Sequence, residues 1–182
     1  MSIVITGTPG VGKHTITREL AKRLDLSIID INKIAKEEGL FEKNNDVNEV
    51  DIVKLERILE ENLTEKNVVV GHLAPYAIKK NKLKIMIVLR RNPYDLMSVY
   101  KKRNYTKEKG MENTGSEILG IISHDAINKF QEKVFQINTS GKNIDKVVDK
   151  IIGIINNNGQ SEMIDWLNLV VTNNDLKKFF VD

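Results

Sequence analysis

A glycine-rich turn near the start of the chain, between an apolar segment and a helical pattern, most limits what the chain can fold into. Residues 3–5 form an apolar run of the length of a buried strand, and Gly7, Gly12 and Lys13 fit the spacing Gly-x-x-x-x-Gly-Lys. Glycines let several backbone N–H groups converge on one anion, the following helix directs its positive end there, and a lysine reaches the outer phosphates. The stretch predicts a phosphate-binding loop.

The residue after the lysine departs from the usual form of this loop, in which Ser or Thr follows Gly-Lys. Here the residue is His14, and Thr15 comes next. Because magnesium is a hard ion that prefers oxygen, His14 is a poor candidate to bind it. Glycine-rich turns also occur without nucleotides, but the complete spacing together with Lys13 favours phosphate binding.

The length predicts one domain, and the composition is ordinary for a soluble globular enzyme. The chain has 182 residues, of which 41% are hydrophobic and 29% charged, enough for one substantial core. No apolar run approaches the ~20 residues of a membrane span and no signal sequence precedes the first strand, so we expect a cytoplasmic protein without membrane contact. Zero cysteines exclude disulfides and thiol catalysis. The net charge of +3 is too small to indicate nucleic-acid binding, and no sequence-specific contact is expected.

Short apolar runs alternate with helical patterns along the chain. After the first strand, further strands are predicted near residues 27–29, 68–70, 85–89 and 134–138. Helical patterns are predicted at 13–24, 33–38, 52–63, 93–100 and 144–155, with another around 118–127. Alternating strands and helices form parallel sheets with right-handed connections, so the pattern predicts an α/β fold: a three-layer α/β/α arrangement around a five-stranded parallel sheet.

Two polar segments interrupt this alternation. Residues 30–53 include an unpatterned stretch at 44–49 that is interpreted as a mobile excursion, and the basic stretch 101–110 precedes a helix whose start is predicted at a capping box of Thr114 and Glu117. Kinases of small molecules need one segment to hold the phosphoryl acceptor and another to close over the donor. The pattern therefore predicts a small P-loop kinase.

With these residues identified, the chain resembles the nucleoside monophosphate kinases, most closely the archaeal and eukaryotic adenylate kinase family whose members also act in small ribosomal subunit assembly. The resemblance reaches to about Ile155 and is carried by residues 7–13, 34–41, His72, 88–90, 103–105 and 107–109. It implies a P-loop NTPase core over residues 1–158, with a monophosphate-binding insert at about 30–53 and a short lid at about 103–113. Residues 159–182 form a tail that packs on the core or extends from it.

The resemblance also implies the site residues. The phosphate cradle of ATP would consist of Gly10, Gly12, Lys13, His14 and Thr15. Arg103 would contact ATP from the lid and stabilise the transferring group, while Lys13 bridges the outer phosphates. Lys142 lies in the region that matches the adenine contact of the family.

The residues expected near the magnesium ion depart from the family pattern. Adenylate kinases carry Gly-Lys-Gly-Thr, so Thr15 would supply the hydroxyl toward a phosphate, with the ion held through waters. Many members have an acidic residue two positions before the histidine, where this chain has Val70. Either Asp30 or another carboxylate orders the magnesium-bound water, or turnover is weakened.

Several residues have two interpretations each. His72, at the carboxyl end of a predicted strand, either orients an attacking water or the acceptor as a neutral imidazole, or is a hydrogen-bonded structural histidine. Arg90 either helps to hold the acceptor phosphate or caps a neighbouring helix. The lysines between residues 79 and 84 form a solvated edge or an RNA patch, and the tail anchored by Trp166 covers the core or binds a partner.

Two functions of different classes follow. The first is an adenylate kinase that transfers the γ-phosphoryl group of ATP to AMP, or to another nucleoside monophosphate, with Mg²⁺ as cofactor and intrinsic ATPase activity. The second is an ATPase switch in small-subunit assembly that binds a ribosomal protein. A kinase for another small acceptor on the same fold is a third.

Overall fold

The computed structural model describes residues 1–44 and 47–180. The strands are β1 (Ser2–Thr6), β2 (Ser27–Asp30), β3 (Phe41–Asn44), β4 (Val47–Val50), β5 (Asn67–Val70), β6 (Leu83–Arg90) and β7 (Val134–Asn138). The helices are α1 (Lys13–Leu24), α2 (Ile31–Glu37), α3 (Ile52–Asn62), α4 (Ala74–Ala77), α5 (Pro93–Lys102), α6 (Lys107–Leu119), α7 (Ile121–Phe130), α8 (Ile144–Ile155), α9 (Trp166–Thr172) and α10 (Leu176–Phe180).

Five parallel strands form the central sheet in the order β2-β5-β1-β6-β7. The first strand lies in the middle, with Ile5 paired to Val70 of β5 on one side and to Ile87 of β6 on the other. The carboxyl ends of all five strands meet at one edge, where α/β proteins of this type bind their ligands. The loop that follows β1 therefore opens at the centre of this edge.

The sheet is covered on both faces, and β1 shows why. All five of its residues are buried, and alternate side chains point to opposite faces. Ile3 and Ile5 belong to a buried cluster with residues of α1 and α8, whereas Val4 belongs to a second cluster with residues of α3 and α7. The predicted three-layer α/β/α fold with a five-stranded parallel sheet is confirmed.

The segment after β2 contains more structure than its sequence indicated. Asp30 caps α2, because its Oδ1 accepts hydrogen bonds from the backbone N–H groups of Asn32 (3.0 Å) and Lys33 (3.2 Å). Where an unpatterned excursion was expected, β3 and β4 pair as an antiparallel hairpin, with Phe41 opposite Val50. Residues 45 and 46, part of that expected excursion, lie outside the described residues.

The helix that follows the basic stretch begins earlier than predicted. The Thr106 side chain caps α6 by accepting from the backbone N–H of Lys109 (3.3 Å). The predicted capping box at Thr114 and Glu117 is wrong, since Thr114 lies inside α6 and its hydroxyl donates to the carbonyl of Gly110 (2.7 Å). The helix expected around residues 118–127 is interrupted at Gly120, whose φ of 66° ends α6 and lets α7 begin.

The tail after α8 forms two short helices that pack against α6. Trp166, Val170 and Phe179 form a buried cluster with Ile118 of α6, and the Phe179 ring meets Tyr94 edge to face. Within the part of the chain that the structure describes, no helix is both long and apolar enough to cross a membrane. The tail thus contributes a third hydrophobic cluster next to the edge of the sheet that carries the loop.

Candidate functional site

The glycine-rich loop has a backbone path that demands glycine at three places. Gly7, Gly10 and Gly12 all have positive φ, at 135°, 94° and 97°. A Cβ at Gly7 would lie 2.3 Å from the carbonyl oxygen of Leu89, so this residue also passes too close to β6 for any side chain. The loop is therefore a shape that the chain adopts only with these residues, as the sequence spacing predicted.

Gly7→Ala should destabilise the protein by roughly 3 kcal/mol, because the methyl group must displace a strand carbonyl and because alanine disfavours this φ. Gly39→Ala is a matched control: Gly39 also has positive φ (62°), but a Cβ there meets nothing within 4 Å. Gly39→Ala should lower the free energy of unfolding by only about 1 kcal/mol. Urea unfolding of both variants measures the difference, and equal losses would mean that the contact with Leu89 is not limiting.

Lys13 lies beneath the loop with 6% of its surface exposed. Its Nζ donates to the carbonyl oxygens of Gly7 (2.7 Å) and Thr8 (3.0 Å). Burial lowers the pKa of Lys13 from its ordinary 10.5 to about 8, since a desolvated ammonium is unfavourable. Both of these hydrogen-bond partners are neutral, so a bound phosphate would give Lys13 an anion in direct contact.

A cleft of about 550 Å³ opens over the loop. Its lining includes almost all of the predicted site residues: Gly10, Gly12, Lys13, His14, Thr15, His72 and Arg103. Lys142 lies outside this lining, and its Nζ donates to Glu162 Oε1 (2.9 Å). The structure therefore brings the predicted phosphate and catalytic residues together and leaves the predicted adenine contact apart from them.

Two of these residues reach the cleft from other elements. His72 follows β5 and is mostly buried, and both burial and the charge of Lys13 lower its pKa, so its imidazole is neutral near pH 7. Arg103 ends α5, where its backbone N–H donates to Val99 and Tyr100. The guanidinium of Arg103 lies close enough to Lys13 to contribute to lowering the pKa of the lysine. Neighbouring cations of this kind repel each other until an anion binds between them.

Of the two interpretations of Arg90, the structure fits the cap of a neighbouring helix and not the ligand of the acceptor phosphate. Arg90 is 3% exposed, and its Nε forms a salt bridge of 2.8 Å with Glu117 Oε1. Its remaining nitrogens donate to Ser123 (3.1 Å), Gln136 (2.7 Å) and the Glu117 carbonyl (2.7 Å). The Glu117 carbonyl lies in the last turn of α6, so Arg90 caps this helix. A guanidinium engaged in this way has no face turned to the cleft, and the interpretation as a phosphate ligand is wrong.

His14 is paired with the carboxylate of Asp30, which ends β2 and caps α2. His14 Nε2 lies 2.9 Å from Asp30 Oδ2. Asp30 is the register partner of Val70 in the sheet, so it stands one strand away from the place where the related family often has an acid. The two departures of this chain from the family pattern, His14 and Val70, therefore lie on either side of one carboxylate.

Sequence reasoning missed the residues that hold the loop from behind. The Tyr100 hydroxyl donates to the carbonyl of Pro9, Arg91 donates to the carbonyl of Gly10 (3.4 Å), and the Thr139 hydroxyl donates to the carbonyl of Val11 (3.1 Å). These donors come from α5, the end of β6 and the end of β7. Their separation from the loop in sequence left no local pattern by which to find them.

One wall of the cleft was also only partly foreseen. Asn113 and Ser116 of α6 line it, together with Lys109 and Tyr105. The Tyr105 ring stacks on Tyr100 at 5.2 Å, and Lys109 Nζ lies 5.0 Å from the Tyr105 centroid. The spacing of Lys109, Asn113 and Ser116 is that of one helix face, a signal that the misplaced helix start concealed.

Comparison with known proteins agrees with this arrangement. A family model described as an AAA domain matches residues 3–120, more than half of the chain. Solved structures with the same fold include a shikimate kinase from Acinetobacter baumannii in complex with shikimate (TM-score 0.64, 19% identity, 86% of this chain and 93% of that one). A deoxyadenosine kinase from M. mycoides has a TM-score of 0.56 at 17% identity, and the match covers 86% of this chain and 100% of that one. Fold and loop thus define a P-loop protein of the AAA-domain class.

Sequence relatives narrow the class. A protein of Pyrococcus furiosus is 35% identical over 169 residues, 91% of each chain, and one of Thermococcus kodakarensis is 34% identical over 91% of this chain and 93% of its own. A protein of Saccharolobus solfataricus is 30% identical over 92% of this chain and 88% of its own. All three bear the name "Putative adenylate kinase". The chain belongs to the family that these archaeal proteins form.

Proposed function

We propose that this protein is a nucleoside monophosphate kinase that transfers the γ-phosphoryl group of ATP to AMP or a similar monophosphate. The observation that carries the proposal is the buried Lys13, hydrogen-bonded only to neutral carbonyls in the described chain, under a glycine loop and facing a cleft that also contains Arg103 and His72. The names of the archaeal relatives support the same reaction. The segment 30–53 would bind the acceptor and the segment 103–113 would close over the donor.

The chemistry would rest on positioning and charge. Phosphoryl transfer needs little covalent help from a protein, but its spread negative charge must be neutralised in a site without water. Lys13 and Arg103 supply two positive charges on the cleft, and the backbone N–H groups at the start of α1 add the helix dipole. The neutral imidazole of His72 can accept or donate a hydrogen bond to the acceptor group.

The residues at the loop fit a magnesium ion that is held mainly by phosphate oxygens and water. Thr15 is exposed and lines the cleft, so its hydroxyl is available as an oxygen ligand. Among residues 1–44 and 47–180, no group of three carboxylate or imidazole side chains forms a metal site by itself. When bound, Mg²⁺ would neutralise charge on the phosphates, as it does for P-loop enzymes in general. We assign Asp30 the ordering of its water, in place of the acid missing at Val70.

The reaction is tested by measuring ADP formation from ATP with AMP, with other nucleoside monophosphates, with shikimate and with no acceptor. We expect ADP to form at a rate that depends on the added monophosphate, and two ADP per ATP consumed when AMP is the acceptor. Identical ATP loss with and without every acceptor would reject the kinase and leave only ATP hydrolysis.

Thr15→Ala should reduce ATP turnover by about 10–100-fold, the usual effect of losing a group that orients a metal or its water. His14→Gly should reduce it less, since this restores the Gly-Lys-Gly-Thr form and removes only the contact with Asp30. Initial rates at saturating Mg²⁺ give the comparison. If the His14 variant proved to be the more damaged of the two, the assignment of the metal hydroxyl to Thr15 would be wrong.

Asp30→Asn tests the second magnesium assignment. An asparagine oxygen can still cap α2 by accepting from Asn32 and Lys33, so the variant removes the charge with little change in the helix. We expect ATP binding measured by calorimetry with Mg²⁺ to weaken about tenfold, while binding in EDTA stays the same or tightens. Equal weakening under both conditions would assign Asp30 to structure alone.

An ATPase switch that binds a ribosomal protein of the small subunit is a second proposed function. It is favoured by Val70 in place of an acid and by an apolar patch beside the cleft, in which Leu119, Ile121 and Phe180 are 52%, 41% and 41% exposed. Association of such a protein should depend on the nucleotide present. A pull-down with the same recovery in ATP, in ADP and without nucleotide would exclude the switch.

A further inference from the structure

One buried carboxylate joins the phosphate loop to the C-terminal helices. Glu117 of α6 is 1% exposed. Its Oε2 accepts from the Thr8 hydroxyl (2.6 Å), and its Oε1 accepts from Arg90 Nε (2.8 Å), the backbone N–H of Arg91 (3.0 Å) and Trp166 Nε1 (3.1 Å). Four separate parts of the chain therefore meet at this side chain.

The two carboxylate oxygens of Glu117 accept hydrogen bonds from different parts of the chain. Oε1 is fixed by three donors from β6, its following residue and α9, so the orientation of the carboxylate is set outside the loop. Oε2 then faces Thr8, which is itself 2% exposed and lies between Gly7 and Pro9 of the loop. Hydrogen bonds to an ionised acceptor are short and strong, so Thr8 should follow a movement of the carboxylate.

We propose that Glu117 is a positioning residue that couples the phosphate loop to Trp166. Nucleotide bound at the loop then stabilises the packed position of α9. Because coupling between two sites is reciprocal, loosening α9 weakens nucleotide binding by the same factor by which bound nucleotide stabilises that packing. The inference rests on the loop binding the phosphates of ATP, as the proposed function has it. It does not depend on which acceptor is phosphorylated.

A second effect of the same carboxylate supports this assignment. Its charge opposes the burial that lowers the pKa of Lys13, and so favours the ammonium form that a phosphate needs. Glu117 thus acts on the loop through a hydrogen bond to Thr8 and through its field at Lys13. A carboxylate that served only to neutralise Arg90 would need neither contact.

The chain contains a built-in reporter for the coupling, since Trp166 is its single tryptophan. The experiment titrates the full chain with MgATP and with tripolyphosphate, which has no base, and follows tryptophan emission alongside calorimetry. We expect the emission to change with the same midpoint as the heat of binding. In Thr8→Val, ATP should still bind but the emission change should be lost, and Thr8→Ser should restore it.

Trp166→Phe removes the indole N–H but keeps an aromatic ring in the cluster. We expect its Kd for MgATP to rise about fivefold, the lower end of usual coupling energies, with KM for ATP raised and kcat unchanged. The double variant with Thr8→Val should bind no more weakly than Thr8→Val alone, because both changes break one connection. Tyr94→Phe is the matched control: it removes the hydrogen bond that the Tyr94 hydroxyl donates to Asp175 and the one that it accepts from Asn173 in the tail, without touching Glu117.

The outcomes separate this inference from the proposed function. ATP binding by calorimetry with no change in emission would overturn the coupling and leave the kinase intact, and so would Tyr94→Phe raising Kd as much as Trp166→Phe. Binding of neither ATP nor tripolyphosphate would overturn both. Coupled emission and binding without any acceptor-dependent ADP formation would support the coupling while rejecting the kinase.

Discussion

Lys13→Met should lower kcat/KM for ATP by about a thousandfold or more, yet leave the unligated protein at least as stable as the wild type. In the proposed function Lys13 is a preorganised charge that faces the transferring phosphates, and removing such a charge has an effect of this size. Methionine has nearly the length of lysine and can fill the same space under the loop. Activity and stability therefore change in opposite directions at this residue.

The stability half of this prediction follows from the buried charge. The pKa of Lys13 is about 8 in the folded protein against 10.5 as its ordinary value, a difference that corresponds to about 3 kcal/mol against keeping the protonated lysine buried. Losing the donor to the carbonyls of Gly7 and Thr8 offsets part of this gain. We expect a net increase of about 1 kcal/mol in the free energy of unfolding at pH 7.

The same pKa predicts how stability changes with pH. Between pH 8 and 10.5 the unfolded chain holds a proton on Lys13 that the folded chain has lost, so the wild type should gain stability as pH rises through this window. Lys13→Met should lack that gain. Lys22→Met, at an exposed lysine of the same helix, should keep both the gain and the activity.

Urea unfolding at pH 7 and pH 10, with rates measured on the same preparations, checks these expectations. A variant that retained a tenth of wild-type activity would mean that Lys13 does not contact the transferring group. A variant that lost several kcal/mol at pH 7 would instead make Lys13 a structural cation of the loop.

The sequence predicted the features that depend on residues close together in the chain. The spacing of Gly7, Gly12 and Lys13 is set by the backbone path of the loop, and buried parallel strands such as β6 show as continuous apolar runs. The predicted loop and five-stranded sheet followed from these patterns alone. His72 and Arg103 were placed by the position of strand ends and by the family resemblance, and both line the cleft.

Features that depend on distant partners were beyond the sequence. Glu117 is separated from Thr8 by 109 positions, and the helix that presents it was assigned a wrong start because Thr106 and Thr114 are both acceptable caps. The sequence left Arg90 with two interpretations, because a charged residue at the end of a strand does not show whether a buried carboxylate pairs with it. Such pairs become visible only when the helices are packed on the sheet.

Arg90→Met should destabilise the protein by about 3–5 kcal/mol, the usual loss when one member of a buried ion pair is removed and the other keeps its charge. The physical reason is that Glu117 would retain hydrogen bonds from Thr8, Arg91 and Trp166 but no cation in contact. For a chain of this length the melting temperature should fall by roughly 10 °C. Arg57→Met, at an exposed arginine of α3, should change it little.

The kinetics of the Arg90→Met variant distinguish the structural role of Arg90 from the contact with the acceptor phosphate, which was one interpretation of the sequence. Because the Arg90 guanidinium faces Glu117, Ser123 and Gln136, KM for the acceptor should stay within about twofold of wild type, measured well below the melting temperature. Arg90→Lys, which keeps the charge but loses the planar fork, should recover part of the stability. A large rise in acceptor KM with an unchanged melting temperature would return Arg90 to the phosphate site, because a residue that only holds α6 to the sheet cannot raise that KM without loosening the fold.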